Sequence, residues 1–480
     1  MPKNNRKILL LNPPFKYLPG YGEGFLNYSR PPLGLTYVAS FLRSKYDVEI
    51  KILDALNLNL EIGQVIAYLK EYKPNILGIS TTTPTIKTAR VISEEIRKII
   101  PEAFIILGGP HVTVLPYENL DVVDAVVIGE GEVTFYEVVK SFFEKTSLQN
   151  ISGIAFKQNG SFIKTPERPL IPNLDLLPFP ARDLLNGYKY RHIYPYRGTK
   201  FLHSIITSRG CSYNCYFCLN KALWKQTVRY RTLSNIFEEI EELVSNYNKP
   251  ILFFDDDDFL ANKQIAFQIC NFISKKFPGL KWLCHACCNS ISGDILKEMK
   301  RAGCVEIQMG IESGDDKILA NCNKRLTTEI IEESVRKVKR AGINVWGTFI
   351  IGSKGETPIT IKKTIKFSKS LDLEYATFIF LSPLPGTKFF EEFSNLNYIK
   401  TFNWDKYSWH SDPVFETPEL TKGLLLRYRS WAYFSFYLRP RVIFRYLITL
   451  LKTADLKTMI INFLILISFI FQFKKRGQHF

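Results

Sequence analysis

The stretch Cys211-Ser-Tyr-Asn-Cys215-Tyr-Phe-Cys218 decides how the rest of this chain is interpreted. It places three thiols on one short segment, directly after a predicted strand over His203–Ser208. A closed structural zinc site takes four protein ligands. A 4Fe–4S cluster held by only three Cys leaves one iron open for a further ligand. The count of three therefore favours an open iron–sulfur cluster, with a zinc site completed by His203 or Cys284 as the alternative.

Strand and helix patterns alternate from residue 201 to residue 395, around and beyond the cysteines. Six βα units suffice for a TIM-type barrel, or an open part of one, with its active site at the carboxyl ends of the strands. The segment Asp255–Asp258 follows the second of these strands, and four consecutive acids need a cation or several donors. The predicted strands are His203–Ser208, Ile251–Phe254, Trp282–Cys288, Glu306–Ile311, Val345–Ile351 and Tyr375–Leu381.

An earlier alternating series occupies the first 145 residues and predicts a parallel, flavodoxin-like (Rossmann-type) α/β sheet. Ligands of such sheets bind beyond the carboxyl ends of the strands. The segments Thr81–Pro84 and Gly108–His111 both follow strands and are expected at that edge. The predicted strands are Lys7–Asn12, Val48–Asp54, Ile76–Ser80, Phe104–Gly108 and Val123–Gly129.

The segment between the two series predicts a β-hairpin around Asn159-Gly160, followed by a proline-rich linker along the surface. The chain then divides into an α/β domain, a linker, a partial (βα)6 barrel and an α-helical C-terminal region. Their predicted bounds are residues 1–145, 146–200, 201–395 and 396–480.

The composition of the chain is that of a globular protein, with 46% hydrophobic and 23% charged residues in 480. Nine Cys are too few for a disulfide scaffold, and no apolar leader follows Met1, so we expect a cytoplasmic protein with reduced thiols. The net charge of +17 is concentrated at the end, because residues 421–480 hold 11 Lys and Arg against one acid. That tail is also apolar, so we expect no nucleic-acid partner.

The apolar run over residues 459–473 has 15 residues, fewer than the about 20 that a membrane-spanning helix needs. Before it, Arg441, Arg445 and Lys452 fall on one side of a helical wheel. The pattern predicts helices that lie in a membrane interface, which places the protein at the inner face of the membrane. The alternative is a C-terminal helical pair packed on the barrel, with its basic side chains in solvent.

Two further groups of residues admit two interpretations each. Cys284, Cys287 and Cys288 lie on a predicted strand whose alternation splits them between its faces, which favours packing over a second metal site. Arg229 and Arg231 either orient a substrate carboxylate or cap the next helix.

The spacing CxxxCxxC, with Phe217 before the last Cys, resembles the radical S-adenosylmethionine (SAM) superfamily. The resemblance implies that Cys211, Cys215 and Cys218 hold a 4Fe–4S cluster whose open iron binds SAM. It also implies an electron donor such as flavodoxin or ferredoxin. Residues at the family's SAM-contacting positions are Phe217, Asp256, Asp257, Gly310, Glu312 and Ser313.

An α/β domain ahead of the barrel resembles the cobalamin-binding members of that superfamily, in which it holds the cofactor's nucleotide tail. One position departs from many cobalamin domains, because Leu56 stands where a His would replace the lower ligand of cobalt. A flavodoxin-like module without a cofactor is the alternative. The residues that the resemblance assigns to cobalamin are Asp54, Ser80, Gly108, Gly109, His111, Gly129 and Glu130.

Together these resemblances predict a cobalamin-dependent radical SAM enzyme, most specifically a methyltransferase that acts on an unactivated carbon of a small hydrophobic substrate. Hopanoid-lipid enzymes and the anaerobic magnesium-protoporphyrin ester cyclase are similar proteins. The alternatives are an oxidative cyclase without methyl transfer, a radical SAM enzyme with a vestigial first domain, and a membrane-tethered cobalamin-binding protein without catalysis.

Overall fold

The structure is a computed structural model that describes residues 6–15, 30–191, 201–408 and 411–453. It consists of two α/β units and a C-terminal helical region. The first unit is built on a seven-stranded sheet and the second on a six-stranded sheet.

Five parallel strands form most of the first sheet, in the order β2-β1-β3-β4-β5. Their side chains are nearly all apolar because helices cover both faces of the sheet. Leu9 and Leu11 face one core, and Ile8 and Leu10 face the other. The elements are β1 (Lys7–Asn12), α1 (Leu33–Lys45), β2 (Glu49–Asp54), α2 (Ile62–Tyr72), β3 (Ile76–Ser80), α3 (Ile86–Ile99), β4 (Phe104–Gly108), α4 (Pro110–Val114), β5 (Ala125–Val127) and α5 (Gly131–Glu144).

The predicted hairpin is present as β6 (Ile154–Gln158) and β7 (Ser161–Lys164), and Asn159 and Gly160 make its turn with positive φ angles of 50° and 81°. It is not part of the linker, however, because β6 pairs antiparallel with β5 and extends the first sheet. The sequence-based boundary after residue 145 therefore separates the hairpin from the sheet to which it belongs.

The second sheet confirms the partial (βα)6 barrel, since six parallel strands follow one another in the order β8-β11-β12-β13-β14-β15. Two short strands, β9 and β10, pair with each other outside it. The elements are β8 (Leu202–Ile205), β9 (Ser208–Arg209), α6 (Asn220–Trp224), β10 (Arg229–Tyr230), α7 (Leu233–Asn246), β11 (Ile251–Phe254), α8 (Lys263–Lys276), β12 (Lys281–His285), α9 (Gly293–Arg301), β13 (Cys304–Glu312), α10 (Asp316–Asn321), α11 (Thr328–Arg340), β14 (Asn344–Ile351), α12 (Pro358–Ser370), β15 (Tyr375–Phe380) and α13 (Lys388–Asn395).

Several barrel helices begin where a polar side chain caps them. Asn262 accepts hydrogen bonds from the backbone N–H groups of residues 264 and 265 at the start of α8. Thr327 and Thr357 each accept a hydrogen bond from the backbone N–H three residues later, at the starts of α11 and α12. These caps satisfy N–H groups that have no partner inside the helix, so they fix where each loop ends.

The C-terminal region begins with α14 (Lys422–Tyr437), which covers the edge strand β15. The N–H groups of Ala376 and Phe378 donate to the hydroxyls of Tyr437 (3.2 Å) and Tyr433 (3.2 Å). The Tyr437 hydroxyl also donates to the carbonyl of Ala376 at 2.8 Å. An uncovered edge strand would expose such groups as a pairing surface.

Helix α15 (Pro440–Thr453) lies against the barrel through its arginines. Arg445 pairs with Asp372 (2.7 Å) and Glu374 (3.2 Å), and Arg441 pairs with Asp372 (3.2 Å). Two apolar side chains in the described part of α15, Ile443 and Phe444, are exposed. No helix among the described residues is long and apolar enough to cross a membrane, and the apolar run 459–473 lies outside them.

Replacing Tyr437 by Phe should lower the free energy of unfolding by about 1–2 kcal/mol, because the backbone groups of Ala376 lose their partner. Urea unfolding followed by circular dichroism measures this loss. Tyr428→Phe removes a hydroxyl from the same helix, for which the described residues show no bond to β15, and serves as the control. Equal stability of the two variants would contradict the edge-covering role.

Candidate active site

The three cysteines lie on the loop between β9 and α6, at the carboxyl end of the barrel, and all three are half-buried. The loop is tied down by polar bonds: Asn220 accepts from the N–H of Cys211 (3.1 Å) and donates to Asp257 (3.0 Å). The N–H of Cys218 donates to the carbonyl of Cys215 at 3.1 Å. The thiols therefore share one anchored loop.

Burial raises the pKa of Cys211 to about 11 and that of Cys215 to about 12, and it raises the pKa of Cys218 as well. Cys211 and Cys218 also disfavour ionisation of Cys215, and Cys218 disfavours that of Cys211, so three thiolates here need a positive centre among them. Metal ions deprotonate coordinating thiols outright. The chemistry of the three thiols therefore fits a metal centre.

The two residues considered as a fourth zinc ligand point elsewhere. His203 lies against the ring of Tyr247, with 3.9 Å between the ring centroids, at the opposite end of the barrel from the cysteine loop. Cys284 is fully buried on β12 beside Cys304. In the described part of the chain, no group of three or more His, Cys, Asp or Glu side chains is gathered for a single metal ion. The three Cys ligands of a 4Fe–4S cluster each bind a different iron atom, so they do not converge on one ion.

Glu312 and Lys324 form a buried ion pair next to the cysteine loop, with 2.6 Å between Oε1 and Nζ. Burial opposes the charge of Lys324, but Glu312 and the nearby thiols outweigh it and raise the pKa of Lys324. Glu312 has a φ of +65°, which is unusual for a residue with a side chain and typical of functional sites. A side chain at Gly310 would displace the Glu312 carboxylate and the Lys324 ammonium, so the glycine leaves room for this ion pair.

Two other predicted residues of this loop have different surroundings. Ser313 is fully buried and lies 3.1 Å from Thr364 Oγ1, so its hydroxyl holds the start of the loop to α12. Phe217 is half-buried, and Lys324 Nζ lies 5.8 Å from its ring centroid.

The four acids after β11 have four different roles. Asp256 is buried and accepts from Thr207 and Ser208, and burial raises its pKa to about 6. Asp258 accepts from the Ser290 hydroxyl at 2.6 Å. The exposed Asp257 is joined to the cysteine loop by Asn220. Asp255 points into the barrel.

A row of half-buried side chains lines the barrel interior at one level. The register pairs His285 with Gln308, Gln308 with Trp346, and Trp346 with Tyr375 on successive strands. Barrel interiors are normally filled, whereas these side chains keep part of their surface accessible. Asp255 is level with His285, since the preceding residues of their strands pair. The row therefore gives the barrel interior an accessible surface that is polar on one side and aromatic on the other.

Arg30, from the first unit, completes the polar side of this row. Its guanidinium donates to Asp255 (2.7 Å) and Gln308 (3.3 Å), contacts His285 (3.2 Å), and lies 4.1 Å from the ring centroid of Phe253. Arg30 and Lys324 belong to no local motif, so their place in the site does not follow from the sequence pattern. Arg30 and Asp255 are 225 residues apart in the chain.

The loops at the carboxyl edge of the first sheet contain the residues predicted for cobalamin. Gly129 is exposed with a φ of +82°, and a Cβ added there would meet nothing within 4 Å. At Gly108 a Cβ would meet only Val127, at 3.9 Å, and Ser80 is half-buried at the end of β3. This open space along the backbone fits the close approach of a bulky ligand. Gly109 instead packs on the first sheet, since a Cβ there would lie 2.5 Å from Thr81 O.

Two of the predicted cobalamin residues are engaged within the protein. Asp54 is buried and accepts from Asn12 (2.8 Å) and Tyr190 (2.8 Å). His111 is buried between Thr83 (3.1 Å) and Glu118 (2.9 Å). The polar atoms of both side chains are therefore hydrogen-bonded to other residues of the protein.

Glu130 also has protein partners, in an ion-pair cluster formed by Glu130, Glu132, Arg209 and Arg229. Glu130 contacts Arg209 (2.7 Å) and Arg229 (2.8 Å), and Glu132 contacts Arg209 (2.6 Å). Burial alone would raise the pKa of Glu130, but the two arginines outweigh it and lower that pKa. Arg229 therefore faces the first unit, and Arg231 pairs with Glu239, so neither arginine joins the row of side chains in the barrel interior.

Comparison with known proteins identifies two domains. The model of the radical SAM superfamily matches residues 205–368, and that of the B12 binding domain matches residues 26–139. An uncharacterized methyltransferase of Pyrococcus horikoshii is 35% identical over 442 residues, which cover 92% of this chain and 94% of the relative. The anaerobic magnesium-protoporphyrin IX monomethyl ester cyclase of Cereibacter sphaeroides is 26% identical over 87% of this chain and 68% of the relative.

Solved structures share the fold. The radical SAM methyltransferase TsrM of Kitasatospora setae, determined with cobalamin and a 4Fe–4S cluster, aligns with a TM-score of 0.66 at 19% identity, over 82% of this chain and 75% of that one. The cobalamin-dependent radical SAM enzyme OxsB aligns with a TM-score of 0.62 at 20% identity, over 85% of this chain and 57% of that one.

Replacing Arg30 by Met should raise the pKa of His285. Burial lowers this pKa, Asp255 raises it, and the Arg30 guanidinium lowers it further, so removing the cation removes one of the two lowering influences. NMR titration of the His ring signals of the cofactor-free protein measures the change, with His285→Gln to assign the signal. Arg43→Met breaks an exposed ion pair with Asp183 and is the control. An unchanged or lower pKa of His285 would refute the contact.

Proposed function

The chain belongs to the radical SAM superfamily and carries the B12-binding domain of its cobalamin-dependent members. We propose that it transfers a methyl group to an unactivated carbon of a small molecule. The observation that carries the proposal is the contact between the two candidate cofactor edges. Gly386, in the loop after β15, packs against both: a Cβ added to it would lie 2.7 Å from Val114 and 3.5 Å from Leu219. Val114 ends the helix that follows the glycines of the first sheet, and Leu219 directly follows Cys218.

When bound, the cluster supplies the electron that cleaves SAM and cobalamin supplies a methyl carrier. The residues of this chain position both. Cys211, Cys215 and Cys218 are the ligands proposed for the cluster. For SAM, the proposed contacts are Gly310, Glu312 and the exposed Asp257, with Ser313 and the buried Asp256 holding those loops in place.

Cobalamin is proposed to lie along the carboxyl edge of the first sheet, where Ser80, Gly108 and Gly129 leave backbone accessible. Asp54 and His111 shape that edge through their internal hydrogen bonds. Leu56 supplies no imidazole, so the predicted lack of a protein lower ligand from this loop remains part of the proposal.

The substrate is proposed to occupy the barrel interior. A buried apolar cluster lies there, formed by Leu202, Ile251, Phe253 and Leu283. Trp346 and Tyr375, 5.4 Å apart between ring centroids, line one side. The polar side formed by Arg30 with Asp255, His285 and Gln308 suits a hydrogen-bonding group, so the barrel interior favours a mainly hydrophobic molecule with one polar end.

Two partners follow from the same proposal. The reaction requires an electron donor of the flavodoxin or ferredoxin class. Peripheral contact with a membrane is supported by the exposed Ile443 and Phe444 of α15 and by the apolar and basic sequence that follows it. Since Arg441 and Arg445 are paired with barrel carboxylates, such contact would rest on the apolar side chains.

Replacing Gly310 by Ala should weaken SAM binding by on the order of tenfold, because the added methyl displaces Glu312 and Lys324. Equilibrium dialysis with the reconstituted protein measures binding, and the iron content should stay unchanged. Gly293→Ala is the control, since a Cβ at Gly293 meets nothing within 4 Å. Unchanged SAM affinity in Gly310→Ala would remove these residues from the SAM site.

Anaerobic reconstitution with cobalamin, SAM carrying a deuterated methyl group, and a strong reductant tests the function itself. With small-molecule extracts as substrate source, methyl transfer predicts deoxyadenosine and S-adenosylhomocysteine in equal amounts and a product that carries the deuterated methyl. Deoxyadenosine without S-adenosylhomocysteine would indicate an oxidative cyclase. Loss of the corrin on desalting would indicate a vestigial first domain, and a Cys218→Ala variant should form no deoxyadenosine.

A further inference from the structure

The ion-pair cluster of Glu130, Glu132, Arg209 and Arg229 buries four charges where the first unit meets the barrel. The side chains of the four residues are only 4%, 4%, 9% and 8% exposed. Both carboxylates belong to the first unit and both guanidinium groups belong to the barrel side. Each charge is therefore neutralised only across the boundary between the two units.

The cluster is joined to both candidate cofactor sites through very short stretches of chain. Arg209 precedes Cys211 by two residues, and the intervening Gly210 packs so closely that a Cβ there would lie 2.0 Å from Thr227 O. On the other side, Glu130 directly follows Gly129 of the open glycine edge. Little movement of either loop is available without movement of the cluster.

Aromatic rings hold the guanidinium groups in place. Arg209 lies 5.0 Å from the ring centroid of Tyr37 on α1, and Arg229 lies 5.4 Å from that of Trp224 on α6. Arg229 also donates to the carbonyl of Ile171, and the N–H of Ile171 donates to Glu130. Guanidinium groups held by ion pairs and packed against aromatic rings have restricted orientations.

We propose that this ion-pair cluster is a positioning device that sets the distance and orientation of the cysteine loop relative to the cobalamin site. Glu130 is then a positioning residue that acts through Arg209 and Arg229, and not a contact of the corrin. The proposal rests on the proposed function for its catalytic consequence, but the rigid coupling of the two loops is a property of the protein alone.

Glu130→Gln tests this coupling, because the amide keeps the shape of the side chain and removes its charge. In the cofactor-free protein, hydrogen–deuterium exchange should accelerate in both residues 125–135 and residues 205–215. In the reconstituted protein, the reduced cluster should enhance the spin relaxation of cob(II)alamin less than in the parent protein, since this effect falls steeply with distance. Iron and corrin contents should not change.

Glu239→Gln is the matched control. Glu239 is equally buried and also holds two arginines, Arg182 and Arg231, but it ties the barrel to the preceding linker and not to the glycine edge. It should lower stability without altering the spin relaxation of cob(II)alamin. Arg209→Lys, which keeps the charge but loses the forked geometry, should give an intermediate change and replaces Glu130→Gln if that variant does not fold.

Catalysis should become uncoupled in Glu130→Gln. Deoxyadenosine still forms from SAM, whereas the yield of methylated product per deoxyadenosine falls by on the order of 10²-fold, as expected for a misplacement of about 1 Å. Unchanged relaxation and exchange would overturn the proposal, and so would an equal relaxation change in Glu239→Gln. Loss of corrin with unchanged exchange would make Glu130 a cobalamin contact instead. Failure of the proposed function would leave the exchange result standing.

Discussion

The buried pairing of Glu130 with Arg209 and Arg229 is the interaction on which the arrangement of this molecule depends. Each parallel sheet brings its loops to its own carboxyl edge, and these charges bridge the loops of the two sheets beside the apolar contact at Gly386. Buried charges of this kind are costly unless every one has a partner. The same cost penalises any displacement of the two units, so the ion pairs give the contact a defined geometry that apolar packing alone would not.

Strand positions followed closely from the sequence where apolar runs were continuous. The predicted strands Lys7–Asn12 and Ile251–Phe254 have the observed bounds, because both are buried on two faces. Strand β12 ends at His285 and not at Cys288, because Asp258 accepts from the N–H of Cys287 and turns the chain. The hairpin was predicted from its turn, but its pairing with β5 depends on a partner that no local pattern reveals.

The candidate site was predictable to the extent that its chemistry is local. The three cysteines follow from spacing alone, and the glycines near them from their position after strands. Side-chain direction is different: adjacent Asp256 and Asp257 have opposite environments, one buried and one exposed, because the loop turns between them. Residues such as Arg30 and Lys324 enter from distant segments, and their place is set by packing that sequence periodicity does not encode.

Helix α15 shows the limit of arguments from amphipathic pattern. The wheel correctly groups Arg441 and Arg445 on one side, and that side was expected to face solvent or lipid headgroups. The barrel instead presents Asp372 and Glu374 to it, and partly buried charge pairs outweigh the loss of hydration. A basic stripe is thus a docking face wherever the neighbouring surface is acidic, and Ile443 and Phe444 of the same helix stay exposed.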